Sequence, residues 1–364
     1  MIAVLGAVLA LLALGEFRCA GDEPPPPAAP PVPFDGKRAL QDAARMVAFG
    51  PRPAGSAEAR LTQNLIIDQL QAAGLVVRQD AFTAKTPAGE LPMKNIVGVL
   101  AGKRPGVIII AAHYDTKRLP QARFVGANDG GAGTGAVLEL ARTLAARGQQ
   151  AYTYWFVFFD GEESVGEWSE EDSLYGSRHF VQMLRGQNLL GQVHAMILLD
   201  LIGDADLTVL RESNSYTTYR ELFWETARDL GYGKYFLPDF VTVGDDHVPF
   251  LEAGIRSVDL IDFMYGDRKV PGKYWHTPED TMDKISAGSL QIVGEVVLAT
   301  LPRIERLVYV VETRAGYLPP REPGAGAPPA GRVASGDDVV GAVLDSPLSV
   351  PAKPAARGPG PLAP

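Results

Sequence analysis

The chain has 364 residues, 46% of them hydrophobic, enough for one large α/β domain or two smaller ones. Its formal charge of -9 at pH 7 leaves no basic footprint for a nucleic acid, which argues against that class of partner. A single cysteine, Cys19, excludes an intrachain disulfide.

In sequence order, residues 2–14 form an apolar run of signal-peptide length, too short for a comfortable membrane span. Residues 1–22 are therefore expected to be a signal or anchor segment, and the protein to be exported. Cys19 follows the run as a lipoprotein acylation site would, the one expected link to a membrane, but Glu16-Phe17-Arg18 departs from the small residues such sites use. Residues 23–34 are proline-rich and read as an extended linker.

The globular part is expected over 35–314. Ser56 can cap a helix running to 73, with Leu61, Leu65 and Leu70 on one face and Gly74 as its stop. Residues 75–82 and 94–101 read as strands. The unbroken apolar run 107–112 reads as a strand covered on both faces. A helix over 131–146, a strand over 152–159, a helix over 174–184 and a buried strand over 193–201 follow. Then come a helix over 216–230, a short strand over 257–261 and a long closing helix over 286–310. Strands alternating with helices predict a single α/β domain with a mixed, mostly parallel central sheet flanked by helices. Residues 315–364 are rich in Pro, Ala and Gly, lack a sustained apolar period and are expected to be disordered.

In open α/β sheets, ligands bind beyond the carboxyl ends of the strands. The unusual polar groups fall there. The strand at Ala112 ends in His113-Tyr114-Asp115, and the strand at Phe159 in Asp160-Gly161-Glu162-Glu163; the strand at Leu199 ends in Asp200. Asn128-Asp129-Gly130 precedes a helix, and Trp275-His276-Thr277 lies in the loop before the last one. Three carboxylates at the end of a buried strand repel one another unless a cation or a proton separates them. A metal for one and proton transfer for its neighbour is the usual resolution.

Without usable cysteine, zinc ligands must come from His, Asp and Glu. Of the 5 histidines, His179 and His194 read as structural or surface residues. His113, His247 and His276 adjoin carboxylates or aromatic residues in loops. Each alone fits a hydrogen-bonded role as well as a ligand role; with the strand-end carboxylates they favour a metal site. Asp245-Asp246 reads equally as the cap of a short helix over 248–251. Trp168 and Trp275 fit either a core or the wall of a pocket. The sequence has no helical HExxH, no Gly-x-Ser-x-Gly, no P-loop and no dinucleotide-binding glycine fingerprint.

Gly50-Pro51-Arg52-Pro53-Ala54-Gly55-Ser56, His113-Tyr114-Asp115, Asn128-Asp129, Glu162-Glu163 and Trp275-His276-Thr277, in this order, resemble the zinc-dependent aminopeptidase superfamily. The insert Trp168-Ser169 before Asp172-Ser173-Leu174-Tyr175-Gly176-Ser177, and Asp245-Asp246-His247-Val248-Pro249-Phe250, are similar to one branch of it, the animal-type glutaminyl-peptide cyclotransferases. That resemblance spans about 35–310. It implies one zinc on Asp129, Glu163 and His276, with Glu162 as the acid/base and Asp200 and Asp245 as its hydrogen-bonded companions. It implies Trp168 and Trp275 in the substrate pocket, and peptides with N-terminal glutamine as substrates. The alternative within the superfamily is a two-zinc aminopeptidase, with His113 and Asp200 as added ligands around a bridging Asp129. A third is a non-catalytic peptide-binding module of the same fold. Two positions depart from the animal enzymes: Ala112 stands where they often carry a cysteine, and Asp259 where they place a histidine near the substrate.

Overall fold

The structure, a computed structural model, describes residues 33–314. The expected signal segment, Cys19, nearly all of the proline-rich linker and the tail lie outside the described residues. Of the linker, Pro33 and Phe34 are described, and Phe34 is already core: its ring packs over Gly294.

Eight strands form one mixed sheet: β1 (Val76–Thr86), β2 (Gly89–Leu100), β3 (Gly102–His113), β4 (Gln150–Phe159), β5 (Val193–Asp200), β6 (Val209–Glu212), β7 (Phe236–Val241) and β8 (Ser257–Ile261). Their order is β1-β2-β4-β3-β5-β8-β6-β7. The central β4, β3, β5 and β8 run parallel; β1 and β2 pair antiparallel to their neighbours, and β6 is antiparallel to β8 but parallel to β7. The path runs from β3 to β4 on one side and then to β5 on the other, so the topology switches direction at β3. A switch point opens a crevice beyond the carboxyl ends of the strands.

The helices are α1 (Gly36–Phe49), α2 (Ala57–Ala72), α3 (Gly133–Ala146), α4 (Tyr175–Gly186), α5 (Thr217–Asp229), α6 (His247–Glu252) and α7 (Ala287–Arg314). Alternate side chains of the central strands enter two cores. Ile108, Ile110, Phe156, Phe158, Ile197 and Leu199 pack with residues of α1, α2, α3, α5 and α7. Ile109, Ala111, Val157, Phe159 and Leu198 pack on the other face with Phe180 of α4 and Phe250 of α6. This double coverage is why these strands read as continuous apolar runs.

Most expected elements are present, with strand 257–261 at its expected bounds. Ser56 caps α2 by accepting from the Ala59 N–H. The expected helix at 248–251 exists as α6, but the carboxylate of Asp246 at its N-cap makes no capping bond. Three elements lie outside the sequence expectations: α1, which Asp35 caps through two backbone N–H groups, and the short β6 and β7.

A kinked π-helical turn, Ala127–Ala132, leads into α3. Gly133 lets it approach β5, because a Cβ there would overlap the Leu199 carbonyl. Gly133→Ala is therefore expected to destabilise the fold by about 1–3 kcal/mol through overpacking. Chemical denaturation checks this: an unchanged midpoint would mean that the contact relaxes freely.

Candidate active site

The strand ends bring their polar groups to one cavity of about 670 Å³. Asp129 sits in the π-helical turn, Glu162 and Glu163 follow β4, Asp200 ends β5, and His276 comes from the loop before α7. All of these line it, with Asp245, Trp168 and Trp275.

Asp129 stands between two groups of donors. Its Oδ2 lies 3.5 Å from His276 Nε2, which is 3.1 Å from Glu163 Oε1. Its Oδ1 lies 3.2 Å from His113 Nε2, which is 3.3 Å from Asp200 Oδ1. Bonds of about 2.0–2.1 Å in a tetrahedron place ligand atoms roughly 3.3 Å apart, so the distance from each histidine to its carboxylates matches the spacing zinc uses. Asp129 Oδ2 and Glu163 Oε2 are buried and accept no hydrogen bond. Such orphaned oxygens are costly without a cation, and their chemistry fits one.

Backbone anchoring holds these groups against their mutual repulsion. Asp115 accepts from the N–H of Glu162 with one oxygen (3.1 Å) and of Glu163 with the other (3.3 Å). Asp280 accepts from the N–H groups of Asn128 (2.8 Å) and Asp129 (3.1 Å) and from the Tyr265 hydroxyl (2.7 Å). Burial, then the charge of Asp129, pushes the Asp280 pKa up to about 7. Arg52 is fully buried and donates to the carbonyls of Tyr114, Val125 and Gly126. Burial lowers its pKa to about 10, still high enough to leave it a cation under the acid cluster.

Burial raises the pKa of Glu163, with Asp129 adding to this and His276 opposing it. Burial raises that of Glu162 well above the ordinary value; His113 opposes this, while Glu163, Asp245 and Asp246 add to it. Glu162 Oε2 is 4.0 Å from His113 Nδ1, and Glu162 faces the cavity outside the His276 group. Burial raises the pKa of Asp245 well above normal too, helped by Asp200 and Asp246. A cluster of carboxyl groups with elevated pKa values can hold and pass protons near neutral pH.

Trp168 is exposed on the cavity rim, and Trp275 stacks on the His276 ring at 3.8 Å. The loop carrying Trp168 is fixed by Asp172, which accepts from the N–H groups of Val165 and Gly166 and from the Tyr175 hydroxyl. His276 and Leu201, next to Asp200, adopt left-handed backbone conformations. Non-glycine residues hold such angles only where the surroundings over-determine them, commonly at functional sites.

Asp259 is placed differently from what the resemblance implied. It is fully buried on β8, absent from the cavity wall, with its Oδ2 3.9 Å from His247 Nδ1. His179 stacks on Phe82 and bonds Asp80, and His194 stands edge-on to Tyr152, both away from the cavity. Sequence reasoning assigns no role to Arg52, Asp115, Asp172 or Asp280. Arg52 and Asp115 lie in motifs that the sequence does single out; Asp280, four residues after His276, reads as loop. Asp160 accepts from the Lys94 N–H and from Gln63, tying β4 to β2 and α2.

A model of peptidase family M28 matches residues 95–301. A mouse glutaminyl-peptide cyclotransferase-like protein is 32% identical over 261 residues, covering 63% of this chain. The present sequence spans 66% of that relative's own length. The crystal structure of an Acidobacteriales bacterium glutaminyl cyclase matches with 39% identity and a TM-score of 0.73, covering 77% of this protein and 98% of that one. A Zn-dependent exopeptidase from Parabacteroides distasonis matches at 27% and 0.67, covering 74% and 98%.

Asp280→Ala is expected to weaken metal binding by roughly 10–100-fold, since outer partners of ligands set their geometry. Competition against a chelator reads the affinity; wild-type affinity would remove Asp280 from this role.

Proposed function

The protein belongs to peptidase family M28, and we propose that it acts as a zinc-dependent glutaminyl-peptide cyclotransferase, converting N-terminal glutamine of peptides to pyroglutamate with release of ammonia. The observation that carries this is the Trp168 loop. It sets an aromatic wall on the rim of the cavity that holds Glu162 and the Asp129–Glu163–His276 group. The likeness to bacterial and animal glutaminyl cyclases, at 39% identity over nearly the whole of the Acidobacteriales enzyme, supports it.

Asp129, Glu163 and His276 would hold one zinc, whose chemistry there is Lewis-acid polarisation of the γ-carbonyl of the glutamine. Trp168 and Trp275 would pack against the glutamine stem and exclude water. The α-amine and the γ-carbonyl carbon belong to one residue, so their proximity is built into the substrate. The amine nitrogen bonds to that carbon, and the bond from the carbon to the amide nitrogen breaks. Glu162 takes a proton from the attacking amine and returns it to the leaving nitrogen, which departs as ammonia. Asp200 and Asp245 would hold Glu162 in a proton-sharing network. Export, suggested by the apolar run at 2–14, accompanies this proposal.

One observation favours a second reading. Asp129 offers one oxygen to each donor group, as a bridging ligand of a two-zinc aminopeptidase would, with His113 and Asp200 on the second ion.

Purified protein offered a Gln-initiated peptide and a Leu-initiated one is expected to release ammonia from the first and no leucine from the second. Chelator is expected to stop the reaction; free leucine would instead establish the aminopeptidase. Glu162→Gln should lower turnover by at least about 10²-fold with metal content retained. Near-normal turnover would remove Glu162 from proton transfer.

A further inference from the structure

Behind the cavity lies a second group of buried donors that the proposed reaction does not employ as ligands. Asp245, His247 and Asp259 each direct one donor atom to a common region, all within 4.8 Å of one another. His247 enters from the first turn of α6 and Asp259 from the middle of β8, both fully buried. Asp245 lines the cavity, so the group is reached from it.

The tautomer of His247 is set from outside this group. Its Nε2 lies 3.0 Å from Glu212 Oε2. Glu212 also accepts from the N–H groups of Asn214 and Ser215 and from the Ser215 hydroxyl. With two backbone N–H groups and a hydroxyl already donating to it, Glu212 stands as an acceptor towards His247. A hydrogen on Nε2 then leaves Nδ1 to face Asp259. That Nδ1 has no partner, and neither Asp259 oxygen has one. Protonating the ring would not repair this, because 3.9 Å to Asp259 is too long for a hydrogen bond. A histidine held by an outer carboxylate, with its other nitrogen free towards buried carboxylates, is the arrangement that supports metal ligation.

We propose that Asp245, His247 and Asp259 form a second binding site for a divalent transition-metal ion of the zinc class. A mixed imidazole and carboxylate set favours such ions over calcium or magnesium. The donors must draw in from their present spread towards the roughly 3.3 Å separations of a tetrahedral site. The site is distinct from both groups that meet at Asp129. On the cyclotransferase reading, an ion here would also engage Asp245 and loosen its link to Glu162.

The test measures binding and does not depend on that reading. The full-length protein is stripped with chelator and dialysed against zinc, and the metal is counted by elemental analysis. Asp259→Asn, nearly isosteric, is expected to lose one ion relative to the wild type. Wild-type stoichiometry in Asp259→Asn overturns the proposal. Anomalous diffraction at the zinc edge from wild-type crystals soaked in zinc needs no variant. It should show a peak between Asp245, His247 and Asp259; peaks confined to the Asp129 groups would equally overturn it.

Discussion

Acid groups packed side by side away from water must be met by donors, protons or cations, and that requirement governs the carboxyl edge of this sheet. Asp115, Asp129, Glu162, Glu163, Asp200 and Asp245 all converge there, and most are almost fully buried. The basic side chains that meet their oxygens are the imidazoles of His113 and His276. A buried permanent cation beneath these acid groups, Arg52, spends its donors on backbone carbonyls rather than on the carboxylates themselves. It contributes charge to the cluster without occupying a ligand oxygen. Asp129 Oδ2 and Glu163 Oε2, which accept no hydrogen bond, are thereby left for a metal.

The same requirement explains why so much of the site is built from backbone. Asp115 and Asp280 bond N–H groups of the residues that carry the chemistry, and so fix the positions of the backbone rather than the charges it carries. Asp115 sits two residues beyond His113 and clamps the turn after the neighbouring β4, coupling the ends of two parallel strands. Asp280 reaches from the loop after His276 to the π-helical turn that carries Asp129. Two candidate ligands distant in sequence, Asp129 and His276, are thus tied through a single carboxylate. The left-handed backbone at His276 and Leu201 belongs to the same economy: short, strained turns leave side chains little freedom to drift apart.

The parallel centre of the fold was legible because its strands are covered on both faces and read as unbroken apolar runs. The edges were not. β6 and β7 are short, and β7 exposes Pro238, Asp239 and Phe240, so neither alternation nor a long apolar run marks them. For α1 the signal was present: Asp35 as cap and an amphipathic run through Phe49. It was obscured by the proline-rich stretch immediately before it. At the site, the residues of unusual type at strand ends were found: Asp129, Glu163 and His276 do converge. Those acting through backbone bonds were missed, since an aspartate that accepts from a distant N–H has the same sequence signature as one that caps a turn. Asp259 was read through the resemblance, as the counterpart of a histidine near the substrate; its strand carries it behind the cavity wall.

The adjacency of Glu162 and Glu163 is the point where fold and chemistry meet. Neighbours in sequence usually share one environment, yet here Asp115 holds both backbone N–H groups while their side chains diverge. Glu163 turns towards His276 and Asp129, where a cation can stabilise its charge. Glu162 turns towards His113 and the acid cluster that includes Asp245, where burial and the neighbouring carboxylates favour the protonated form against the opposing charge of His113. An ion on Glu163 would lower the cost of its charge without reaching Glu162 as a ligand, so the difference in proton affinity between the two would widen on metal binding. A single turn after β4 can therefore supply a fixed ligand and a mobile proton from consecutive residues. Asp160, drawn away by the Lys94 N–H and Gln63, keeps a third carboxylate from collapsing that distinction.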